Sequence, residues 1–241
     1  MNLTRATAAL TTALILTIGP AINAGARDTV YLPRRTTATN YGSGLWGGPV
    51  GSPAQTGDPA TASIALYGDS TANRCLSDIR PALEAKGYTL YTWTWSGQNT
   101  AGIAAAVESA PRLPGRVFLV AGTNDVFDPF TARAAITELA QYLTEAGVDW
   151  RWTDTYVGRP TTLADDLRNS GQVNGIIHSA AGEARIVRWV DALTAARGRG
   201  RALSYYLQDG VHPWIDAGTG HGDGCAFLAS VLAAAVPGAP R

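Results

Sequence analysis

The sequence has no excess of charge of either sign, only three histidines and only two cysteines. Nineteen basic and nineteen acidic side chains among 241 residues balance to a formal charge of zero. Because no basic face or acidic run dominates, nucleic acid is not an expected partner. The length is enough for one α/β domain with a substantial core. We therefore expect a single domain that acts as a monomer.

The N-terminus has the pattern of a secretion signal. Arg5 precedes a mostly apolar stretch over residues 6–18, and Ala24-Gly25-Ala26 supplies the small residues that a signal peptidase needs. A membrane anchor is the alternative, but the stretch is shorter than the roughly 20 residues that span a bilayer. We expect a signal peptide over residues 1–26, cleaved after Ala24 or Ala26. The mature protein is then extracellular or associated with the cell envelope, without stable membrane insertion.

The two cysteines, Cys75 and Cys225, suit an exported chain. Exported proteins use such a pair for one disulfide, and we expect these two to be bonded to each other. Two unpaired buried thiols are the alternative.

Residues 27–62 are rich in glycine, proline, serine and threonine and show no apolar period, which predicts an extended N-terminal arm. Beyond the arm, from 63 to 241, apolar strand patterns alternate with helical ones. Strands are predicted at 64–67, 88–95, 116–122, 148–156 and 184–190, and helices at 74–87, 100–110, 129–146, 171–180 and 221–236. This alternation predicts a parallel sheet with helices on both faces.

Ligands of such sheets bind beyond the carboxyl ends of the strands. The segments that follow the strands, or precede the last helix, are GDS (68–70), SGQN (96–99), GTND (122–125) and DGVHP (209–213). They hold a candidate nucleophile, amide donors and an Asp/His pair. These are the parts that acyl transfer through a serine ester requires.

The general base must be one of three histidines. His178 lies on a predicted helix more than one turn from any acid, and His221 lies in a glycine-rich turn. His212 follows Asp209 by three residues, a spacing that brings a carboxylate to its Nδ1 and turns Nε2 toward the serine. Each piece alone also fits an ordinary turn. Four pieces at the right element ends favour a catalytic site with His212 as base.

Together these motifs resemble the four sequence blocks of the GDSL-type (SGNH) hydrolase superfamily, which are named for a serine, a glycine, an asparagine and a histidine. They follow in the family's order with similar spacing over roughly residues 63–237. GTND and DGVH are specific, GDS alone is weak, and the glycine block is the weakest. Thr71 stands where the family usually has leucine, which leaves the chemistry untouched. The second block places its donor at Gly97, with Gly102 as the alternative.

The resemblance implies a flavodoxin-like three-layer α/β/α sandwich with a mostly parallel sheet, and the activity of a serine esterase or acylhydrolase. It implies Ser70 as nucleophile, His212 as base and Asp209 as the acid that orients the base. The implied oxyanion hole consists of the backbone amides of Ser70 and Gly97 with the side chain of Asn124. It implies neither a cofactor nor a metal.

Three other interpretations were compared with this one. An α/β-hydrolase would need the elbow G-x-S-x-G, but the sequence has GDSTA, and its acid and base are too close together. A non-catalytic binding module on the same fold is disfavoured by the full set of reactive residues. A metal site would leave Ser70 and Asn124 unexplained. Its candidate ligands are Asp209, His212, Asp216, His221 and Asp223.

The sequence defines the type of reaction more closely than it defines the substrate. Trp95 and Trp214 each lie within two residues of a predicted site residue, so they are candidates for an apolar or sugar-stacking wall, with packing at the rim as the alternative. Export and balanced charge favour short acyl esters, such as acetyl groups on a glycan. A small-molecule or lipid ester, and transfer to an acceptor other than water, both stay open.

Overall fold

The computed structural model describes residues 50–51 and 62–239. The predicted signal peptide, residues 1–26, lies outside the described residues. So does the predicted arm, 27–62, apart from residues 50, 51 and 62. Both assignments stay predictions.

The described residues form one sheet of six strands. Their order across the sheet is β1-β3-β2-β4-β5-β6, and the five from β2 to β6 run parallel, while β1 pairs antiparallel with β3 at the edge. The strands are β1 Val50–Gly51, β2 Ser63–Gly68, β3 Thr89–Thr94, β4 Arg116–Val120, β5 Asp149–Thr153 and β6 Ile186–Val187. The order of the parallel strands is that of flavodoxin-like folds. The predicted fold is therefore confirmed.

Helices cover both faces of this sheet. They are α1 Ser70–Arg74, α2 Leu76–Glu84, α3 Thr100–Ser109, α4 Pro129–Glu145, α5 Leu163–Ala181, α6 Trp189–Gly198 and α7 Gly224–Ala234. None of the helices in the described part of the chain is long and apolar enough to cross a bilayer.

The alternation of side chains along the central strands separates two cores. On β2, Ala65 and Tyr67 pack with residues of α3, α4 and α5, whereas Ile64 and Leu66 pack with residues of α2, α6 and α7. All four side chains are fully or almost fully buried. A parallel sheet covered on both faces in this way needs near-continuous apolar strands, which is what the sequence supplies.

Helix α5 begins at Leu163, eight residues before the predicted start at 171. The polar segment before 171 suggested an insertion. Asp166 in the first turn instead accepts hydrogen bonds from the backbone N–H and the guanidinium of Arg159. This contact ties the polar first turn of the helix to the loop that precedes it.

The predicted strand 184–190 was wrong in length, because only Ile186–Val187 form β6 and helix α6 follows at once. The early start of α6 is explained by a residue that follows the end of β5. The carboxylate of Asp154 accepts a hydrogen bond from the backbone N–H of Val190 at 2.8 Å and so satisfies the first turn of α6.

Cys75 and Cys225 are joined by a disulfide with their Cα atoms 4.9 Å apart. Cys75 separates α1 from α2, and Cys225 lies in the first turn of α7. Helices α2 and α7 pack side by side on one face of the sheet, as predicted, through residues such as Leu83 and Leu232. The bond therefore connects the segment after β2 to the last helix across 150 residues of sequence.

Candidate active site

The turn after β2 fixes the position of Ser70. Gly68 must lack a side chain, because a Cβ atom there would lie 2.4 Å from the Cβ of Ala72 and 2.9 Å from the carbonyl oxygen of Val120. Asp69 then caps α1 by accepting a hydrogen bond from the backbone N–H of Thr71 at 2.9 Å. Ser70, the first residue of α1, is consequently held at the carboxyl end of the sheet. The N-cap of the helix is Asp69 and not Ser70.

Ser70, His212 and Asp209 lie in hydrogen-bonding contact. His212 Nε2 is 2.9 Å from Ser70 Oγ, and His212 Nδ1 is 2.8 Å from Asp209 Oδ2. The second carboxylate oxygen of Asp209 accepts hydrogen bonds from the backbone N–H groups of His212 and Val211, at 2.8 and 3.0 Å. A carboxylate at Nδ1 fixes the tautomer that leaves Nε2 able to accept the serine proton.

The electrostatics of Asp209 favour its ionised form. Partial burial raises the pKa of this carboxyl, but hydrogen bonds from the side chain and backbone of His212, with smaller contributions from the His212 charge and the Val211 backbone, outweigh it. The net result is a pKa well below the usual range for aspartate. The group is therefore a carboxylate at neutral pH.

Ser70, Gly97 and Asn124 line one cleft of about 680 Å³. Asn124 begins a 3₁₀ turn four residues after the end of β4 and is almost fully buried. Its Nδ2 donates a hydrogen bond to the carbonyl oxygen of Gln98 at 3.0 Å, which fixes the plane of the amide. Because an amide nitrogen carries two N–H groups, one is left for a ligand in the cleft.

Gly97 and Gly102 differ in what the structure allows them to do. Gly97 has a φ of 79°, a left-handed conformation that favours glycine, and it lines the cleft. Gly102 lies inside α3, does not line the cleft, and donates its backbone N–H to the Asn99 side chain at 3.2 Å. The geometry thus favours Gly97 as the donor in the second block.

Asp69 has a role beyond capping, which the motif did not reveal. Its Oδ2 accepts a hydrogen bond from the backbone N–H of Thr123 at 3.2 Å, so one fully buried carboxylate joins the end of β2 to the end of β4. Burial raises the pKa of this carboxyl, and the hydrogen bonds from Thr71 and Thr123 oppose the shift. Ser70 and Asn124, each adjacent to this contact, are held at a fixed separation.

Asp125, the last residue of GTND, ties the end of β4 to α3. Its carboxylate accepts hydrogen bonds from the Thr100 hydroxyl at 2.6 Å and the Thr100 backbone N–H at 3.0 Å. Burial raises the pKa of Asp125 to about 6, against the lowering effect of the two hydrogen bonds from Thr100. No ligand contact is needed to explain this residue.

The two tryptophans proposed for substrate binding do not line the cleft. Trp95 packs edge-on against Trp93 with ring centroids 6.2 Å apart and contacts the core. Trp214 stacks on the ring of His221 at 4.0 Å and donates its Nε1–H to the Ser204 carbonyl. Both rings therefore pack against other side chains of the protein and not into the cleft.

The other two histidines lie away from the cleft. His178 contacts Glu183, which lies five residues further along the chain, through Nδ1 at 2.9 Å. His221 is occupied by its stack on Trp214, and Asp223 caps α7 through the Ala226 N–H. In the part of the chain that the structure describes, no three metal-ligating side chains converge.

Two arginines line the cleft that the sequence analysis did not predict as site residues. Arg159 forms a two-pronged ion pair with Asp166, at 2.8 and 2.9 Å, and its guanidinium lies 4.9 Å from the ring centroid of Phe127. The hydrogen bonds from Arg159 lower the pKa of Asp166 to about 2. Arg74 lies one helical turn after Ser70. The predicted helix began only at residue 74, so this i, i+4 relation was not visible.

Comparison with solved structures identifies the fold. A GDSL-like lipase from Bacteroides thetaiotaomicron aligns with a TM-score of 0.52 and 17% identity over 72% of this chain and 87% of that chain. The acetyl xylan esterase AlAXEase aligns with a TM-score of 0.58 and 17% identity over 72% of this chain and 99% of that chain.

A catalytic mutant of Axe2, an acetylxylan esterase from Geobacillus stearothermophilus, aligns with a TM-score of 0.58 and 15% identity over 77% of this chain and 95% of that chain. No protein-family model and no curated protein sequence matches the chain. The chain therefore has the fold of GDSL-type hydrolases, as the sequence resemblance predicted.

Proposed function

We propose that this protein is a serine hydrolase of carboxylic esters, in which Ser70 attacks the ester carbonyl and His212 accepts its proton. The observation that carries the proposal is the 2.9 Å contact between His212 Nε2 and Ser70 Oγ, in line with the 2.8 Å contact between His212 Nδ1 and Asp209. A serine hydroxyl is a weak nucleophile unless such a base removes its proton.

The reaction follows from this arrangement in two stages. Ser70 Oγ adds to the carbonyl carbon while its proton passes to His212 Nε2. The negative charge that develops on the carbonyl oxygen is stabilised by the backbone amides of Ser70 and Gly97 and the Asn124 side chain. His212 then donates the proton to the leaving alcohol, which gives an acyl-enzyme. Water, deprotonated by the same ring, releases the acid and restores Ser70.

The ester is proposed to carry a short acyl group, with an acetylated glycan as the leading candidate. The cleft wall offers polar groups for hydroxyl-rich ligands, among them Asn73, Ser96 and Gln208. Two of the similar solved structures are named as acetyl xylan esterases. An acyltransferase that uses the same three residues would deliver the acyl group to another acceptor in place of water.

The proposed site of action is outside the cell or in its envelope. The disulfide between Cys75 and Cys225 supports this location, since such bonds persist in oxidising compartments. The N-terminal sequence supports it independently. Mass spectrometry of the protein recovered from the culture medium would identify the first residue of the mature chain.

A series of p-nitrophenyl esters of rising acyl length tests the activity. We expect wild-type protein to hydrolyse the acetyl ester fastest, Ser70→Ala to be inactive, and Ser230→Ala to match wild type. Ser230 is an exposed residue on α7 whose hydroxyl donates to the Phe227 carbonyl at 2.7 Å, so it controls for the serine-to-alanine change itself. An active Ser70→Ala variant would contradict the proposal.

A further inference from the structure

The side chain of Arg74 connects the nucleophile helix to the turn that carries the base. Its Nε donates a hydrogen bond to the Pro213 carbonyl oxygen at 2.8 Å, and its Nη2 donates to Gln208 Oε1. Gln208 directly precedes Asp209, and Pro213 directly follows His212. One guanidinium therefore binds both ends of the segment 208–213, which holds the acid and the base.

The segment 208–213 is closed on itself. The Gln208 backbone N–H donates to the His212 carbonyl at 2.8 Å, and Leu207 forms a bridge with Pro213. These bonds fix the distance from Asp209 to His212 inside the segment. They do not fix where the segment lies relative to α1, which carries Ser70 on a part of the chain 142 residues away.

Arg74 supplies a direct restraint between the segment and α1. The Cys75–Cys225 disulfide joins the same two regions, since the Cys225 backbone N–H donates to the Trp214 carbonyl at 2.8 Å, but it attaches beyond the segment and not at its two ends. Arg74 donates to two neutral acceptors in the described part of the chain, a backbone carbonyl oxygen and a side-chain amide oxygen. The arginine is therefore used as a rigid two-pronged donor, a geometry that the single ammonium of lysine does not reproduce.

We propose that Arg74 is a positioning residue, whose guanidinium holds the 208–213 segment against α1 and so keeps His212 Nε2 within reach of Ser70. This inference rests on the proposed esterase function. Since Arg74 also lines the cleft, the competing role is direct contact with the substrate. The two roles predict different kinetics, because positioning acts on the chemical step and ligand contact acts on binding.

The test compares Arg74→Met, Arg74→Lys and the control Arg80→Met with wild type. Arg80, on α2, also donates to a backbone carbonyl, that of Leu90 at 2.8 Å, and it does not line the cleft. We expect kcat of Arg74→Met to fall about 10- to 100-fold, the scale of a misplacement near 1 Å. KM should stay within about twofold of wild type. The rate of Ser70 labelling by a fluorophosphonate should fall in parallel with kcat.

Two further measurements separate positioning from stability. Guanidinium ion, added well below denaturing concentrations, should raise kcat of Arg74→Met and leave Arg80→Met unchanged. Arg74→Lys, which keeps the charge and can reach one acceptor, should lie between wild type and Arg74→Met. If Arg74→Met does not fold, the same measurements on Arg74→Lys still test the proposal.

A rise in KM at unchanged kcat would overturn the proposal in favour of ligand contact. Losses that follow the melting temperature alone, and that Arg80→Met shares, would overturn it in favour of general stability. If wild-type protein neither hydrolyses esters nor labels at Ser70, the proposed function fails. If wild type reacts and Arg74→Met reacts equally fast, only the positioning role fails.

Discussion

Replacing Asn124 by alanine removes the one side-chain donor proposed for the oxyanion hole. The amide of Asn124 is fixed by its hydrogen bond to the Gln98 carbonyl at 3.0 Å, and the second N–H group remains for the charge that forms on the ester oxygen. Alanine keeps the backbone of the turn and removes both donors.

The magnitudes separate the two effects of this change. Loss of an oxyanion donor lowers kcat by about 10²–10³, or roughly 3–4 kcal/mol of transition-state stabilisation. The substitution also leaves the buried Gln98 carbonyl without its donor. Loss of this hydrogen bond lowers the free energy of unfolding by about 1–3 kcal/mol. A folded variant with very low activity is therefore the expected outcome.

The assay measures kcat and KM on p-nitrophenyl acetate together with a urea unfolding curve for each protein. Asn169→Ala is the matched control, because Asn169 donates its Nδ2 to the Val126 carbonyl at 3.0 Å and does not line the cleft. It should lose stability and keep kcat. If Asn124→Ala also kept its kcat and lost only stability, Asn124 would be a turn residue, and the oxyanion would need other donors.

Three further predictions concern the base, the disulfide and a buried carboxyl. His212→Ala should abolish fluorophosphonate labelling at neutral pH, whereas His178→Ala should label nearly as wild type does; equal labelling of both would refute the choice of base. Reduction of the Cys75–Cys225 bond should lower activity at dithiothreitol concentrations that leave the protein folded, and an unchanged kcat would confine the bond to stability, where the chain-entropy model gives it about 5 kcal/mol. Asp125, whose pKa burial raises to about 6, binds a proton more tightly in the folded state, so it stabilises the fold at low pH and loses this effect as the pH rises from about 4 through 6. Asp125→Asn should show a smaller fall in stability over that range, and parallel curves for the two proteins would contradict the cause.

The order of the elements and the positions of the reactive residues were predictable because both depend on local sequence. A parallel strand buried on both faces gives an apolar run such as 117–120, and its end is marked by glycine and small polar residues. The His212–Asp209 contact was also local, since three residues of separation bring the two side chains together within one turn.

Features that depend on distant partners were not predictable in the same way. The start of α6 is set by Asp154, which lies more than thirty residues earlier, so the apolar residues after β6 suggested a longer strand. The contact of Asp69 with Thr123 and that of Arg74 with Pro213 join segments separated by 54 and 139 residues. Such contacts leave no periodic signal in the sequence.

The positions of Trp95 and Trp214 show a further limit. Proximity in sequence to a site residue suggested that both rings lie in the cleft wall, but it does not determine the side of the chain to which a side chain points. Trp95 consequently packs on the core cluster around Trp93, and Trp214 faces His221. Whether a residue lines the cleft depends on the direction of its side chain, and proximity in sequence does not give that direction.

Labelling of the folded protein with a fluorophosphonate probe, followed by peptide mapping, tests the central claim most directly. The probe reacts only with a serine that a neighbouring base has activated. We expect one label, on Ser70, and none on Ser70→Ala under the same conditions. A label on another serine, or no label on folded wild-type protein, would contradict it.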